Sequence, residues 1–173
     1  MDALLDLVKI LVPATIVLYA VFLIVRSFIT RELELKKLEI RSRSIETVLP
    51  VRLQAYERMT LFLERTSPQN LLVRINTPGL TAREFHRMLL DEIRNEYNHN
   101  VSQQVYIGEG VWSLIKNAKE DLTIQINEAA TQVPGDATSI DLAKRVFELA
   151  MAKNVDPIGH ALSELKKEIQ QTF

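Results

Sequence analysis

The chain has 173 residues, 47% of them hydrophobic and 25% charged, with a formal net charge of −1 and no cysteine. That is enough for a membrane segment plus one modest domain, and it excludes thiol catalysis and a disulfide scaffold. Residues 26–65 carry nine Lys/Arg against six Glu, while residues 66–173 carry eleven against fourteen Asp/Glu, so a concentrated nucleic-acid-binding face is not expected.

From Ile10 to Val25 the sequence reads ILVPATIVLYAVFLIV, sixteen residues without a charge. Leu4, Leu5, Leu7 and Val8 extend the apolar run upstream. A spanning helix needs roughly 20 mostly apolar residues, and Leu4 to Val25 meets that if Asp6 and Lys9 sit at headgroup level. Two other readings compete. A cleaved signal peptide would want a basic start and a small-residue cleavage site, but MDALLD is acidic and Arg-Ser-Phe-Ile follows Val25. A soluble core helix would show a polar stripe, and this run has none. Pro13, one turn inside the run, is tolerated in bilayer helices near an end or at a kink.

Six basic residues, Arg26, Arg31, Lys36, Lys37, Arg41 and Arg43, lie within 18 residues of the run on its C-terminal side. Only Lys9 lies on the other side, with Asp2 and Asp6. The positive-inside rule then predicts the first residues outside, residues 26–173 in the cytoplasm and a single pass through the inner membrane. The lipid bilayer is thus the first expected partner. The basic collar also suits an anionic leaflet.

Ser27 to Leu49 contains many Glu, Leu, Lys and Arg and no Gly or Pro, which predicts that the spanning helix continues as a helical stalk. Along it Phe28, Arg31, Leu35, Leu38, Ser42, Ile45 and Leu49 follow 3,4 spacing, with five of the seven apolar. That is either a short coiled-coil seam, giving a homo-oligomer, or a stripe against the protein's own domain. Pro50 is expected to interrupt or kink the helix.

Val51 to Arg65 reads as the central core helix: Ala55, Tyr56, Met59, Phe62 and Leu63 share one face, and Gln54, Glu57, Arg58, Glu64 and Arg65 the other. Arg52 breaks the pattern on the apolar face and Leu61 on the polar one. Ser67-Pro68 opens a short helix to about Ile75, and Asn76-Thr77-Pro78-Gly79 makes a turn. Thr81 and Glu84 form a capping box for a helix to about Tyr97, with Phe85, Met88, Leu89, Ile93 and Tyr97 inward, and Asn98-His99-Asn100 ends it. Gln103 to Ile107 is a helical turn or a short strand. Gly108-Glu109-Gly110 makes a turn, or a helix start needing positive φ. Helices follow over about Val111–Gln132, from Thr138 or Ser139 to about Asn154, and from Pro157 to about Gln170. The pattern predicts an all-α protein: transmembrane helix 1–26, helical stalk 27–49 and a cytoplasmic helical bundle over 50–173.

No catalytic set assembles. Glu96-x-x-His99 has the spacing of half a di-iron ligand set, but neither His86 nor His160 has a Glu three residues ahead. His99 therefore reads as a helix-terminal or surface residue, and no metal or other cofactor is expected. Ser113-x-x-Lys116 and Ser163-x-x-Lys166 match a serine–lysine pairing without the polar motifs that chemistry requires. Trp112 is a core or rim anchor, or a partner hot spot. Arg52 is either a snorkelling stem with its head in solvent, or a buried arginine paired to a carboxylate, fixing the stalk against the domain. Leu61 is an ordinary exposed apolar residue.

The run Leu49-Pro-Val-Arg-Leu-Gln-Ala-Tyr-Glu-Arg-Met-Thr-Leu-Phe-Leu-Glu-Arg65 resembles a stretch found in an uncharacterised family of small membrane proteins from Bacteroidota bacteria. Val101 to Ile107, with Trp112 and Ile115-Lys116 after it, is similar to the same family. The resemblance covers roughly Leu49 to Lys119. It implies an N-terminal spanning helix and a helical C-terminal half, and no activity.

These observations lead to the expectation of a non-enzymatic scaffold, adaptor or accessory subunit. It would present its domain to protein partners at the inner membrane, with Arg52, Arg58 and Trp112 as contact residues. The alternative is a membrane-tethered enzyme or sensor that binds a metal or small ligand inside the bundle, starting from Asp91, Glu92, Glu96 and His99.

Overall fold

A computed structural model describes residues 2–153 and 155–172, and among these the side chains other than those of 2–10, 41, 42, 44 and 172. The headgroup positions assigned to Asp6 and Lys9, the upstream apolar face, the seam residue Ser42 and the helix end at Asn154 lie outside the described side chains or residues. The fold is all-α, with no strand among the described residues. Its helices are α1 (Asp2–Thr66), α2 (Pro68–Ile75), α3 (Ala82–Asn100), α4 (Glu109–Thr131), α5 (Ser139–Ala152) and α6 (Pro157–Thr172). A 3-10 turn, Val101–Val105, joins α3 to α4, which resolves the ambiguous stretch as helical. The chain divides into two units, Met1–Leu49 and Pro50–Phe173.

In the first unit every described side chain from Leu11 to Val48 is exposed. The helix contains one stretch long and apolar enough to cross a membrane, with a mean hydropathy of 2.1 and none of it buried against protein. Two of its threonines bond back to the helix. Thr15 Oγ1 donates to the Leu11 and Val12 carbonyls at 2.9 Å, and Thr30 Oγ1 to the Arg26 carbonyl at 2.9 Å. Such back-bonding removes the penalty of a hydroxyl in an apolar solvent. Further on, Arg43 pairs with Glu39 at 2.8 Å, one turn away.

Helix α1 continues through Pro50, so the expected interruption does not occur. Proline removes one backbone donor, but Pro50 is exposed, where water serves the carbonyl left over.

The second unit is organised on the last four turns of α1. Ala55, Tyr56, Met59, Phe62 and Leu63 are each at most 1% exposed, as the helical spacing predicts, and Leu61 is exposed. Tyr56, Met59, Phe62 and Leu63 pack into one core with Leu71, Phe85, Leu89, Ile93, Ile115, Ile126, Leu142 and Leu165. Helix α4 packs on α6, α3 and α5, and α2 packs on α3 and α5. Met88 is a correction. It is exposed, because the inward stripe of α3 runs Phe85, Leu89, Ile93 at every fourth residue and Met88 falls to one side. Helix α3 also continues through Asn98-His99-Asn100, where buried Asn100 donates Nδ2 to the Glu96 carbonyl at 2.8 Å.

Two capping boxes start α3 and α5. Thr81 caps α3 with Glu84, and Thr138 caps α5 with Asp141. A short antiparallel bridge joins them: Ala82 N donates to the Ala137 carbonyl at 2.9 Å, and Ser139 N to the Leu80 carbonyl at 3.0 Å. Gly79, at φ +89°, makes the turn into this bridge. At the start of α2 Ser67 is the N-cap but does not cap with its side chain; its Oγ donates back to the Glu64 carbonyl at 2.8 Å.

Hydrogen bonds from the Thr81 backbone and side chain hold the Glu84 carboxyl below the usual range, and those from the Thr138 side chain and backbone do the same for Asp141. Both groups therefore contribute stability that is present above the ordinary carboxylate pKa and lost as pH falls through the depressed folded value. Thr81→Ala and Thr138→Ala should each cost about 1 kcal/mol near neutral pH. Their destabilisation should shrink on acidification below about pH 4, measured by denaturant titration of the detergent-solubilised chain. A loss that stays constant down to pH 2 would contradict the capping account.

Candidate functional site

Arg52 and Tyr56 stand one turn apart on α1, and their side chains meet the end of α6. The Tyr56 ring is buried, and its hydroxyl accepts a hydrogen bond from Arg52 Nη2 at 2.8 Å. The same hydroxyl donates to Glu168 Oε1 at 2.7 Å. That carboxylate oxygen also accepts from Gly108 N at 2.8 Å, so one group serves α1, α6 and the start of α4. The Arg52 guanidinium lies 5.7 Å from the centre of the Tyr56 ring. Burial first, then the bond to Glu168, raises the Tyr56 hydroxyl above its ordinary pKa, so it stays neutral and keeps its proton for the carboxylate. Arg52 thus falls between the two sequence readings: it is half-buried and reaches a carboxylate through a tyrosine.

This network explains Gly108. It stands at a helix start, one of the two expected alternatives, but its φ is −61°, so positive φ is not the reason for glycine there. A Cβ at that position would lie 2.7 Å from Glu168 Oε2. The residue is small because a carboxylate occupies the space beside it.

Trp112 is half-buried on the rim of the core. It stacks on Tyr97 with ring centroids 5.9 Å apart at 29°, and Tyr97 tilts against Phe62 at 6.0 Å. Lys119 Nζ sits 4.6 Å from the centre of the Tyr97 ring. Arg58 is half-buried and makes no ion pair among the described residues. No hydrogen bond or ring contact among the described residues links Arg52, Arg58 and Trp112 to one another. Two of these expected contact residues, Arg52 and Trp112, are tied into the fold.

The acidic residues of α3 also have partners. Arg65 Nε pairs with Glu96 at 2.7 Å and its Nη2 approaches Glu92 at 3.8 Å; Arg74 pairs with Glu92. Two arginines and two glutamates therefore pin the end of α1 and α2 to α3. Asp91 faces Arg94 at 3.5 Å, and His99 is exposed in the last turn. Among the described residues no group of three or more His, Asp or Glu is placed to hold a metal. His86 Nε2 meets Asn127 Oδ1 at 2.8 Å, joining α3 to α4. Ser113, Lys116, Ser163 and Lys166 are all exposed. No nucleophile–base pair results.

One feature escaped the sequence reading. A half-open cleft of about 620 Å³ lies where the end of α1 and the start of α2 face α4, α5 and α6. Leu122, Phe147, Met151, Ile158 and Leu162 form its apolar walls, and Glu64, Asp121, Lys153 and Asp156 lie around them. Its size is that of small-ligand or anchor-residue sites.

The fold and these sites define a helical bundle preceded by one long apolar helix, with its polar clusters spent on holding helices together. The family model for DUF7935, a family of unknown function, matches residues 2–172, and the chain belongs to that family. Neither a curated protein nor a solved structure matches the chain.

Tyr56→Phe should lower stability by about 1–2 kcal/mol, because it leaves Arg52 and Glu168 without their shared partner. Gly108→Ala should cost about 1 kcal/mol or more, by displacing the Glu168 carboxylate and weakening the cap. The double variant should fall short of the sum, since both changes act on one carboxylate; strict additivity in denaturant titrations would refute the shared network.

Proposed function

We propose that this protein is a single-pass inner-membrane anchor that presents a helical interaction domain to the cytoplasm as a scaffold, adaptor or accessory subunit, without catalysis of its own. The observation that carries this reading is the exposure of every side chain from Leu11 to Val25 on an uncharged stretch of helix. Ten of those residues are Leu, Ile, Val or Phe. At bilayer depth they contribute roughly −3 to −6 kcal/mol to insertion, while in water the same surface has nothing to cover it. The basic residues from Arg26 to Arg43 support a cytoplasmic C-terminal side. The likeness of Leu49–Arg65 to membrane proteins of Bacteroidota supports the same placement.

Tethering concentrates the domain near other membrane-bound proteins, which is the physical work an adaptor does. The stalk adds a route to self-association. Phe28, Leu35, Leu38 and Ile45 are each more than half exposed at seam spacing. Leu38→Asp should abolish a crosslinked dimer formed in native membranes if the seam pairs, and an undiminished dimer would rule that route out.

A second reading, a tethered small-ligand sensor, draws on the cleft alone. A purified chain that retains a stoichiometric small molecule would favour it.

Because the chain has no cysteine, single introduced thiols report topology cleanly. An impermeant maleimide should label Asp2→Cys in intact spheroplasts and should label Ser163→Cys only after permeabilisation. Labelling of Ser163→Cys in intact spheroplasts would overturn the cytoplasmic placement.

A further inference from the structure

We infer that the cleft beside α5 is a docking groove for a basic amphipathic helix of a partner protein. The inference rests on the adaptor reading and gives that adaptor its binding surface.

The groove exposes large apolar groups that a monomer gains nothing by exposing. Phe147 and Met151, one turn apart at the end of α5, and Val155 in the segment after it are 39%, 73% and 68% exposed and line the groove. Together they offer an apolar strip against which the apolar face of a second helix packs, and the methionine adapts to varied side chains.

The rim supplies the charge preference. Glu64 on α1, Asp121 on α4 and Asp156 ahead of α6 come from three separate parts of the chain, and none makes an ion pair among the described residues. Lys153 is the one cation among the described lining residues. One Asp156 oxygen accepts from Gly159 N at 2.9 Å, at the start of α6. With three carboxylates against one ammonium around the groove, a cationic partner gains attraction there and an anionic one is repelled. An anionic leaflet and a nucleic acid are disfavoured on the same ground. The open side favours an elongated occupant over a small enclosed molecule, whose site would converge its polar groups on an interior.

The test is photo-crosslinking of the full chain in native membranes, with benzoylphenylalanine at Met151 and, as a control, at Val105. The control position is 78% exposed and lies outside the cleft. The expected result is an adduct specific to position 151 whose crosslinked segment is helix-forming, net positive and apolar at i,i+3 or i,i+4. Adding Glu64→Lys and Asp121→Lys, both exposed and outside the core, should reduce that adduct roughly tenfold with thermal stability unchanged. No adduct above the control, a crosslink to lipid or to a second copy of this chain, or a yield insensitive to charge reversal would overturn the inference. Failure of the membrane-anchor reading would show instead in the thiol labelling, which does not involve the groove.

Discussion

The structure depends on one helix that carries two apolar stretches, only one of which the chain itself covers. In α1 the side chains from Leu11 to Val25 meet no protein at all, while those from Ala55 to Leu63 are almost wholly covered by it. Both stretches belong to one helix, Asp2–Thr66. Burial is the dominant favourable term for such side chains. For residues 55–63 it comes from the other helices of the bundle, whereas residues 11–25 are exposed and form a stretch long and apolar enough to cross a membrane. The polar groups follow the same division. Thr15 and Thr30 bond back to their own helix, whereas Arg52, Tyr56 and Arg65 bond to side chains on α6 and α3.

Within the bundle, position is set by a few polar contacts between distant parts of the sequence. The Glu168 carboxylate joins Tyr56 and Gly108, and the Arg65–Arg74–Glu92–Glu96 cluster joins α1, α2 and α3. The twin capping boxes, linked through Ala82 and Ser139, bring the starts of α3 and α5 together. Each of these would be weak alone at a surface. Together they select one arrangement of helices whose apolar faces tolerate several, which is where polar contacts are most useful. The consequence for function is that Arg52, Arg65, Glu92 and Glu96 are engaged in structure. Around the cleft the Glu64 and Asp121 carboxylates make no ion pair among the described residues.

Local features were legible from the sequence because their physics is local. The face of Ala55, Tyr56, Met59, Phe62 and Leu63, the Thr81–Glu84 box, the proline start of α2 and the turn before Leu80 all depend on residues within two turns of each other. Thr138 emerged as the cap of α5, one of the two candidates, because it and not Ser139 has an acidic residue three positions on. The interruption expected at Pro50 does not occur, because a proline's lost hydrogen bond costs little on an exposed helix face. Met88 misled because three-residue and four-residue spacings both fit a helical stripe until packing chooses between them. Gly108 needed knowledge of a carboxylate sixty residues away, and Arg52 of one beyond Tyr56, itself 112 residues from Glu168. The cleft needed the placement of five helices at once. No periodicity carries that information.

The most direct test of the account is whether the native chain behaves as an integral membrane protein. Cell membranes washed with alkaline carbonate and floated on a density gradient should retain the full chain with the lipid. A chain carrying Val17→Glu and Val21→Glu should leave the membrane or fail to accumulate. Quantitative release of the unaltered chain into the supernatant, folded and free of lipid, would contradict the claim that lipid covers residues 11–25.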